Sequence, residues 1–509
     1  MRVRRSTAVV AGAAFAWSVL WLWSTFVIHE RYGTVDHDLG IWDQAVWLLA
    51  HGRSFSTVRG LHVFGFHVSP ALFLLAPFYR LGAGVLFLNA VMIGSLSAGS
   101  LAVLRLARRR SLGEWQSVVL ALAFLVDFSL QGMLHETFHP EVVAIAPLLF
   151  AYLAAAEGRW RAFAAWLVAA LLWKEDVALA GAMLGLVVLV GSRFPRIGPP
   201  MPRGARRAGL LAFLGCALWF VVATRLVIPH YSPAGNFTGD LFGNLGNSPT
   251  ELARTALTDP TRIGRQLQRS NPLRYGFDLL AAYGMTSLLA PVVLLIGLPQ
   301  AAVNLLGTYD FFWRTKVHYA ALPVLAVTLA SVEGVARWRR PKVRQVVLGL
   351  VALGAAWTSV VWGLTPLDAD TRVVLWERVP VAQRAEFDRF VAFPGPHDGV
   401  STRFDLVTHL SHRERIFTFP NPWLPQNWGV RYEHRLPGSS VDWLMLNPSA
   451  LNERELGVLT SAVADPDRLL DWSHIPPPPD SPDMTSRIDR TKWDVVESTA
   501  DVLVLHRIR

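Results

Sequence analysis

Uninterrupted apolar runs, each close to the roughly 20 residues a helix needs to cross a hydrocarbon core, recur from residue 7 to residue 364 of this 509-residue chain. A soluble fold of that length would divide into about three domains of some 150 residues. Composition excludes it: 52% of residues are hydrophobic and only 17% charged, where a soluble chain carries roughly a quarter charged. The pattern therefore predicts a polytopic α-helical membrane protein. Spans are expected near 7–28, 84–106, 116–133, 140–157, 161–173, 177–192, 208–228, 278–297, 298–310, 318–336 and 345–364, eleven in all. Residues 69–82 (SPALFLLAPFYRLG) are apolar but short and hold two prolines, so they read as a re-entrant or interfacial helix.

Charge gives the orientation. The net charge is +10, yet only four of the 48 basic residues are lysines, and the arginines cluster between the apolar runs. Such clusters set membrane topology. A nucleic-acid binder would need a basic stripe on one soluble face, so no nucleic-acid partner is expected. The segments holding Arg105, Arg108 to Arg110, Arg159, Arg161, the run Arg193 to Arg207 and Arg337 to Arg344 belong inside. This places the N-terminus in the cytoplasm and residues 365–509 outside, in the plasma membrane of the cell. The first apolar run lacks a small-residue cleavage site and reads as an uncleaved helix rather than a secretory signal. Cys216 is the only cysteine, so no internal disulfide is possible.

Domain organisation follows from the same contrast. Residues 1–364 form the multi-spanning part, with outer loops at 29–68 and 229–277. In 365–509 the apolar runs shorten to five to seven residues. Val381–Phe393 and Glu453–Ala464 have helical spacing, whereas Arg415–Phe419, Val441–Leu446 and Val502–Leu505 read as short buried strands. A small extracytoplasmic α/β domain is predicted, with Pro476–Pro479 as a loop within it.

Ionisable residues at the borders of membrane spans are costly and mark candidate sites. Five groups stand out, and the topology puts all five on the outer face. The first holds Asp36, Asp38 and Asp43, where Asp38 is either an N-cap of the helix running to Ala50 or a carboxylate poised as base or metal ligand. The second is His67, opening the re-entrant segment. The third, His135-Glu-Thr-Phe-His-Pro-Glu141, offers Glu136, His139 and Glu141 either as a divalent-metal cluster or as a polar cap of the following span; its spacing matches no zinc signature. The fourth, Lys174, Glu175 and Asp176, is a surface turn or a fixed cation oriented by two acids. The fifth, Arg314, Lys316, His318 and Tyr319, suits a lipid phosphate or ordinary interfacial anchoring. Phosphate-loop, nucleophile-elbow and dinucleotide fingerprints are missing from the sequence, so nucleotide chemistry is not expected.

The strings Asp38-Leu-Gly-Ile-Trp-Asp-Gln44, His67-Val-Ser-Pro70, Phe138-His-Pro-Glu141, Lys174-Glu-Asp176 and His318-Tyr319 resemble those of a bacterial membrane family, domain of unknown function 2079. That family in turn resembles the GT-C superfamily of integral membrane glycosyltransferases. The resemblance implies transfer of a sugar from a polyprenyl-phosphate carrier to a glycan, lipid or protein acceptor at the outer face. It implies Asp38 as base, with Asp36 and Asp43 as alternates. The sequence departs from the commoner paired-acid pattern by placing His37 between two aspartates. Lys174, Arg314, Lys316, His318 and Tyr319 are the expected donor-phosphate contacts. His67, His139, Glu141, Glu175 and Asp176 are expected to line the same vestibule. A divalent cation (Mg or Mn) held among Asp43, Glu136, His139 and Glu141 would assist. A transporter or flippase of lipid-linked glycans would instead need polar residues at mid-bilayer and two-fold internal symmetry. A non-catalytic envelope-binding protein would leave the five groups apart in space.

Overall fold

The structure is a computed structural model; it describes residues 5–194, 196–232, 237–246, 248–364, 381–424, 436–471, 473 and 475–508. The start of the expected outer domain, 365–380, and parts of the 229–277 loop lie outside these residues, as does the basic start Met1–Arg4. Among the described residues, seven helical segments are long and apolar enough to cross a membrane: Arg5–Glu30, Val85–Arg109, Glu114–Glu136, Pro140–Glu157, Ala205–Tyr231, His318–Ala336 and Pro341–Val361. Three shorter apolar segments, Trp160–Leu171, Val177–Arg193 and Pro291–Leu306, complete the bundle.

Burial sorts the helices into centre and rim. Pro140–Glu157 and His318–Ala336 are 89% buried along their apolar windows, against 22% for Ala205–Tyr231 and Pro341–Val361. The buried pair is rich in alanine and other small residues, which lets backbones approach where no hydrophobic effect drives helices together. The rim helices keep large side chains such as Leu211, Leu218, Leu353 and Trp357 on the surface, as lipid contact requires. Helices Val177–Arg193 and Ala205–Val222 meet backbone to backbone: a Cβ on Gly185 would lie 2.6 Å from the Phe213 nitrogen.

Two expected spans are not separate helices. In place of 278–297 and 298–310 the chain forms Pro272–Ala281, a tight turn at Thr286–Leu289, and the broken segment Pro291–Leu306. Gly284 and Met285 both take positive φ (55° and 61°), and Pro291 and Pro299 each restart a helix at its first turn. The run is apolar enough to span twice but too heavily punctuated to stay helical. Segment 69–82 does form a short helix, Leu72–Arg80, which holds Pro77 and leaves Phe73, Leu74 and Phe78 exposed.

The C-terminal region carries a five-stranded mixed sheet of β3 (Val400–Thr402), β4 (Ile416–Thr418), β5 (Trp443–Leu446), β6 (Trp493–Ser498) and β7 (Leu503–Arg507), in the order β4-β3-β5-β7-β6. A small hairpin in the first loop supplies β1 (Phe55–Ser56) and β2 (Leu61–His62). Strand β3 pairs parallel with both β4 and β5, and β7 pairs antiparallel with β5 and β6. Helices Val381–Ala392 and Glu453–Ala464 form where their spacing predicts. One side of this region has its own core around Trp423, Trp493 and Leu459. The other side shares a core with the membrane helices through Phe387, Phe390, Leu406, Val407 and Ile416. The seam also carries polar ties: the Tyr32 hydroxyl donates to Asp388 (2.7 Å), and the His29 and His409 rings stack 4.0 Å apart.

Candidate active site

The first helix ends at Glu30, and the chain then makes one wide helical turn, Asp36–Gly40, before the helix Ile41–Ala50. That turn sends the three aspartates in different directions. Asp36 is fully buried; it accepts from the His37 amide (2.7 Å) and from the Thr418 hydroxyl of β4. Asp43 is buried too, accepting from the Tyr79 hydroxyl (2.5 Å) and the Ser411 hydroxyl (2.5 Å), with His412 Nε2 at 3.0 Å. Asp38 alone keeps an opening, its side chain 17% exposed, with Oδ1 3.3 Å from His139 Nε2 and Oδ2 3.6 Å from His37 Nε2. It caps no helix: Gly40 occupies the N-cap of Ile41–Ala50 without a side-chain bond.

His139 stands just before the central helix, with Pro140 at the first helical position, and its side chain makes no cap. Its Nδ1 lies 3.2 Å from the Thr137 carbonyl, which fixes the ring and aims Nε2 at Asp38. Burial opposes charge on both partners. For Asp38 the hydrogen bond from His139 and the charges of His139, His37 and His318 outweigh burial and hold the carboxyl down at about 2. For His139 the bond to Asp38 and the charges of Asp38, Glu141 and Glu136 outweigh burial and lift the imidazole to about 9. The two are an ion pair at neutral pH.

His318 arrives from a distant part of the chain. The loop before it lies directly on the helix Phe128–Glu136, where a Cβ on Gly132 would come within 2.3 Å of the Lys316 carbonyl oxygen. The His318 amide donates to Glu136 (2.7 Å), its Nδ1 lies 3.2 Å from the same carboxylate, and its ring stacks on His139 at 3.7 Å. Its Nε2 is 3.8 Å from Glu141. Behind it, Asn304 donates to the Tyr319 carbonyl (2.9 Å) and the Tyr275 hydroxyl (2.9 Å), locking the turn.

Lys174 and Glu175 are buried, so the surface-turn reading of this motif does not describe the structure. Lys174 donates to Glu141 (2.7 Å) and pairs with Asp176 (3.2 Å). Burial alone would lower its pKa; the charges of Asp176, Glu141 and Glu175 reverse that and hold the ammonium well above its ordinary range. Burial pushes Asp176 up to about 6, Lys174 opposing and Glu141 and Glu175 adding to the rise. Glu175 turns the other way, its carboxylate meeting His67 Nδ1 (2.8 Å) and the Val68 amide (2.9 Å). Burial raises the Glu175 carboxyl, but His67 outweighs it and the net shift is downward.

The five motifs thus meet through one chain of contacts running from His37 through Asp38, His139, His318 and Glu141 to Lys174 and Asp176, with Glu136 bracing His318 and His67 beside Glu175. Two expectations change. The phosphate set divides: Arg314 is on the surface, paired with Asp310, and Lys174 is occupied by two carboxylates. Lys316, half-buried on the loop leading to His318, has no ion-pair partner among the described residues. The metal set changes as well. Asp43 is taken up by Tyr79, Ser411 and His412, whereas Asp38, His139 and His318 bring one ligand atom each within 4.8 Å of one another. Two imidazole nitrogens and a carboxylate, with His139 and His318 steered by Thr137 and Glu136, fit an imidazole-binding metal such as Zn or Fe better than the expected Mg or Mn, which favour oxygen ligands. Glu141 Oε2 and Asp176 Oδ1 are buried without a hydrogen-bond partner among the described residues, the state of groups that face a ligand, ion or water.

Residues 29–461 match the family described as "Predicted membrane protein (DUF2079)". The chain belongs to the DUF2079 family. No curated protein matches it. Among solved structures, this DUF2079 chain is similar to ArnT from Cupriavidus metallidurans bound to undecaprenyl phosphate, at 12% identity and a TM-score of 0.52, over 99% of this chain and 98% of that one. It is similar to the apo state of the same protein at 13% identity and a TM-score of 0.50, over 97% and 98%. The DUF2079 chain therefore has the GT-C fold, a multi-spanning helical body followed by a small α/β domain, as its sequence motifs imply.

Sequence reasoning picked the five motifs but not their joints. It missed Glu136 as the brace of His318, the Asn304–Tyr275 support, and Thr418, Ser411 and His412 reaching back to the acidic loop. The conjunction of two imidazoles with one acid left a trace in the His139 and His318 motifs; Thr418 left none.

Proposed function

We propose that the protein is a glycosyltransferase of the outer membrane face that moves a sugar from a polyprenyl-phosphate carrier to an acceptor hydroxyl. The observation that carries this reading is the Asp38–His139–His318 cluster, three donors from three distant segments within 4.8 Å, set in a fold shared with a protein crystallised with undecaprenyl phosphate. The chemistry needs no nucleotide, because a lipid phosphate already bonded to the anomeric carbon is a good leaving group.

The acceptor oxygen attacks the anomeric carbon as the bond from that carbon to the phosphate oxygen breaks, and the carrier leaves as polyprenyl phosphate. Asp38 takes the acceptor proton. Its basicity is low, but the acceptor oxygen becomes strongly acidic once its bond to carbon has begun to form, so an ionised carboxylate in position suffices. Positioned proton transfer of this kind contributes about 10²–10⁴-fold. His139 keeps Asp38 ionised and oriented. Lys316, half-buried and with no ion-pair partner among the described residues, meets the departing phosphate, with His318 and Tyr319 alongside and Arg314 at the surface. Lys174 holds Glu141 in place rather than touching phosphate. A divalent ion on Asp38, His139 and His318 would be a separate state in which His139 has given up its Nε2 proton, and it would supply Lewis-acid stabilisation of phosphate charge in place of that ion pair.

The test is incubation of purified protein in lipid with labelled polyprenyl-phosphate sugars, with and without candidate glycan, lipid and protein acceptors. Acceptor-dependent loss of the labelled carrier, matched by labelled product, supports the reading. Intact carrier under every condition, at enzyme concentrations that would turn it over within hours, contradicts it.

A further inference from the structure

The acidic loop is bolted to the C-terminal sheet at one edge. Strand β4 is its outermost strand, and Thr57 of the first loop grips it twice: the Ile416 amide donates to Thr57 Oγ1 (2.9 Å), and that hydroxyl lies 2.8 Å from the Ile416 carbonyl. Two residues further along, Thr418 pairs in register with Thr402, whose own hydroxyl donates to the Met445 carbonyl (2.8 Å). Thr418 is therefore held by both the sheet and the loop. Its hydroxyl donates to Oδ2 of Asp36, while Oδ1 of the same carboxylate accepts from the His37 amide (2.7 Å) and faces His37 Nδ1 (3.0 Å). The other nitrogen of that ring, Nε2, lies 3.6 Å from Asp38.

We infer that Thr418 is a positioning residue of the site: through Asp36 and His37 it fixes the wide turn that presents Asp38. The inference rests on the proposed transferase reading for its kinetic consequence, though not for its geometry. Asp36 is wholly buried, so its carboxylate has no solvent to turn to when Thr418 is lost. The five-residue turn has no capping side chain; it packs on Val407 and Thr408 through Gly40, and its polar ties are those of Asp36 and the Asp38–His139 contact. The C-terminal sheet is in this account part of the catalytic apparatus, since it supplies the outer end of the chain Thr418–Asp36–His37–Asp38.

Two arms test this in the full-length protein. Thr418→Val keeps the shape and removes the donor. It is expected to lower kcat for carrier turnover about tenfold with KM for the carrier unchanged, and Thr418→Ser is expected to restore most of kcat. In the second arm, hydrogen–deuterium exchange of peptides spanning residues 34–40 is expected to rise about tenfold in Thr418→Val, with the sheet peptides 400–418 unchanged. Asp36→Asn, which keeps the volume and weakens the same bond, should show the same local signature should Thr418→Val fold poorly. Wild-type kcat and wild-type exchange in both variants overturn the inference. So does a rise in exchange across the whole C-terminal sheet, which marks a merely structural role. If the wild type turns over no carrier, the transferase reading fails, and the exchange arm still decides whether Thr418 holds the turn.

Discussion

Removing the ammonium of Lys174 should be among the most damaging single changes to stability. Lys174 is 4% exposed and Glu141 3%, with 2.7 Å between their charged atoms and a second carboxylate, Asp176, at 3.2 Å. At an effective dielectric of about 20 each contact carries roughly 5–6 kcal/mol of gross attraction, most of it offset by desolvation. What a single substitution exposes is the imbalance: Lys174→Met leaves Glu141 with the imidazoles of His318, at 3.8 Å, and His139, and leaves Asp176 and Glu175 without their shared cation. Breaking one partner of a buried pair costs about 3–5 kcal/mol, whereas neutralising both costs far less. The expected outcome is therefore a loss of about 3–5 kcal/mol for Lys174→Met, with at least about 2 kcal/mol recovered in Lys174→Met/Glu141→Gln. Denaturant unfolding in bicelles of the wild type, the two single variants and the double variant gives the coupling directly. The single-variant deficit should also shrink as the pH falls, because the stranded carboxylates then take up protons. A Lys174→Met protein within 1 kcal/mol of the wild type, or a double variant whose loss is the sum of the singles, would refute the argument.

Three further outcomes follow from other contacts. Burial lowers His409 to about 3 against His29, so its neutral form holds the seam; the stabilisation is complete above pH 6.5 and is lost as pH falls toward 3, on the order of 1.4 kcal/mol per unit. Limited proteolysis between pH 7 and pH 4.5 should show cleavage around residues 404–410 rising in the wild type and rising less in His409→Phe. Asp43→Asn should lower stability by about 2–3 kcal/mol, because Tyr79, Ser411 and His412 all address that carboxylate, yet leave kcat per folded molecule within a few-fold of the wild type. Gly132→Ala should push the Lys316 loop off its helix, costing about 1–3 kcal/mol and most of the activity, read by calorimetry and carrier turnover.

The membrane body was legible because lipid imposes long apolar runs and span borders make polar residues conspicuous. The region 278–310 misled the reading for a local reason: its hydropathy suits two spans, but Gly284, Met285, Pro291 and Pro299 break the helix where composition alone does not look. In the acidic loop the residue types pointed to a site, while the choice among Asp36, Asp38 and Asp43 depended on one wide turn that no hydrophobic period records. Asp36 and Asp43 are anchors through contacts from far along the chain: Thr418 and Ser411, 382 and 368 residues away, fold back onto them, and Tyr79 and His412 also hold Asp43. The cluster Asp38–His139–His318 has the same origin. Its residues lie on separate segments, joined by the small residue Gly132 that lets the last loop sit against the helix.

Asp38 acting as the base on a lipid-linked sugar would be read in the release of free polyprenyl phosphate from a labelled carrier. Wild-type protein in proteoliposomes should release it only with acceptor present, and Asp38→Asn, folded and inserted to the same yield, should release it at least 10²-fold more slowly. Equal release by the two proteins would contradict the account.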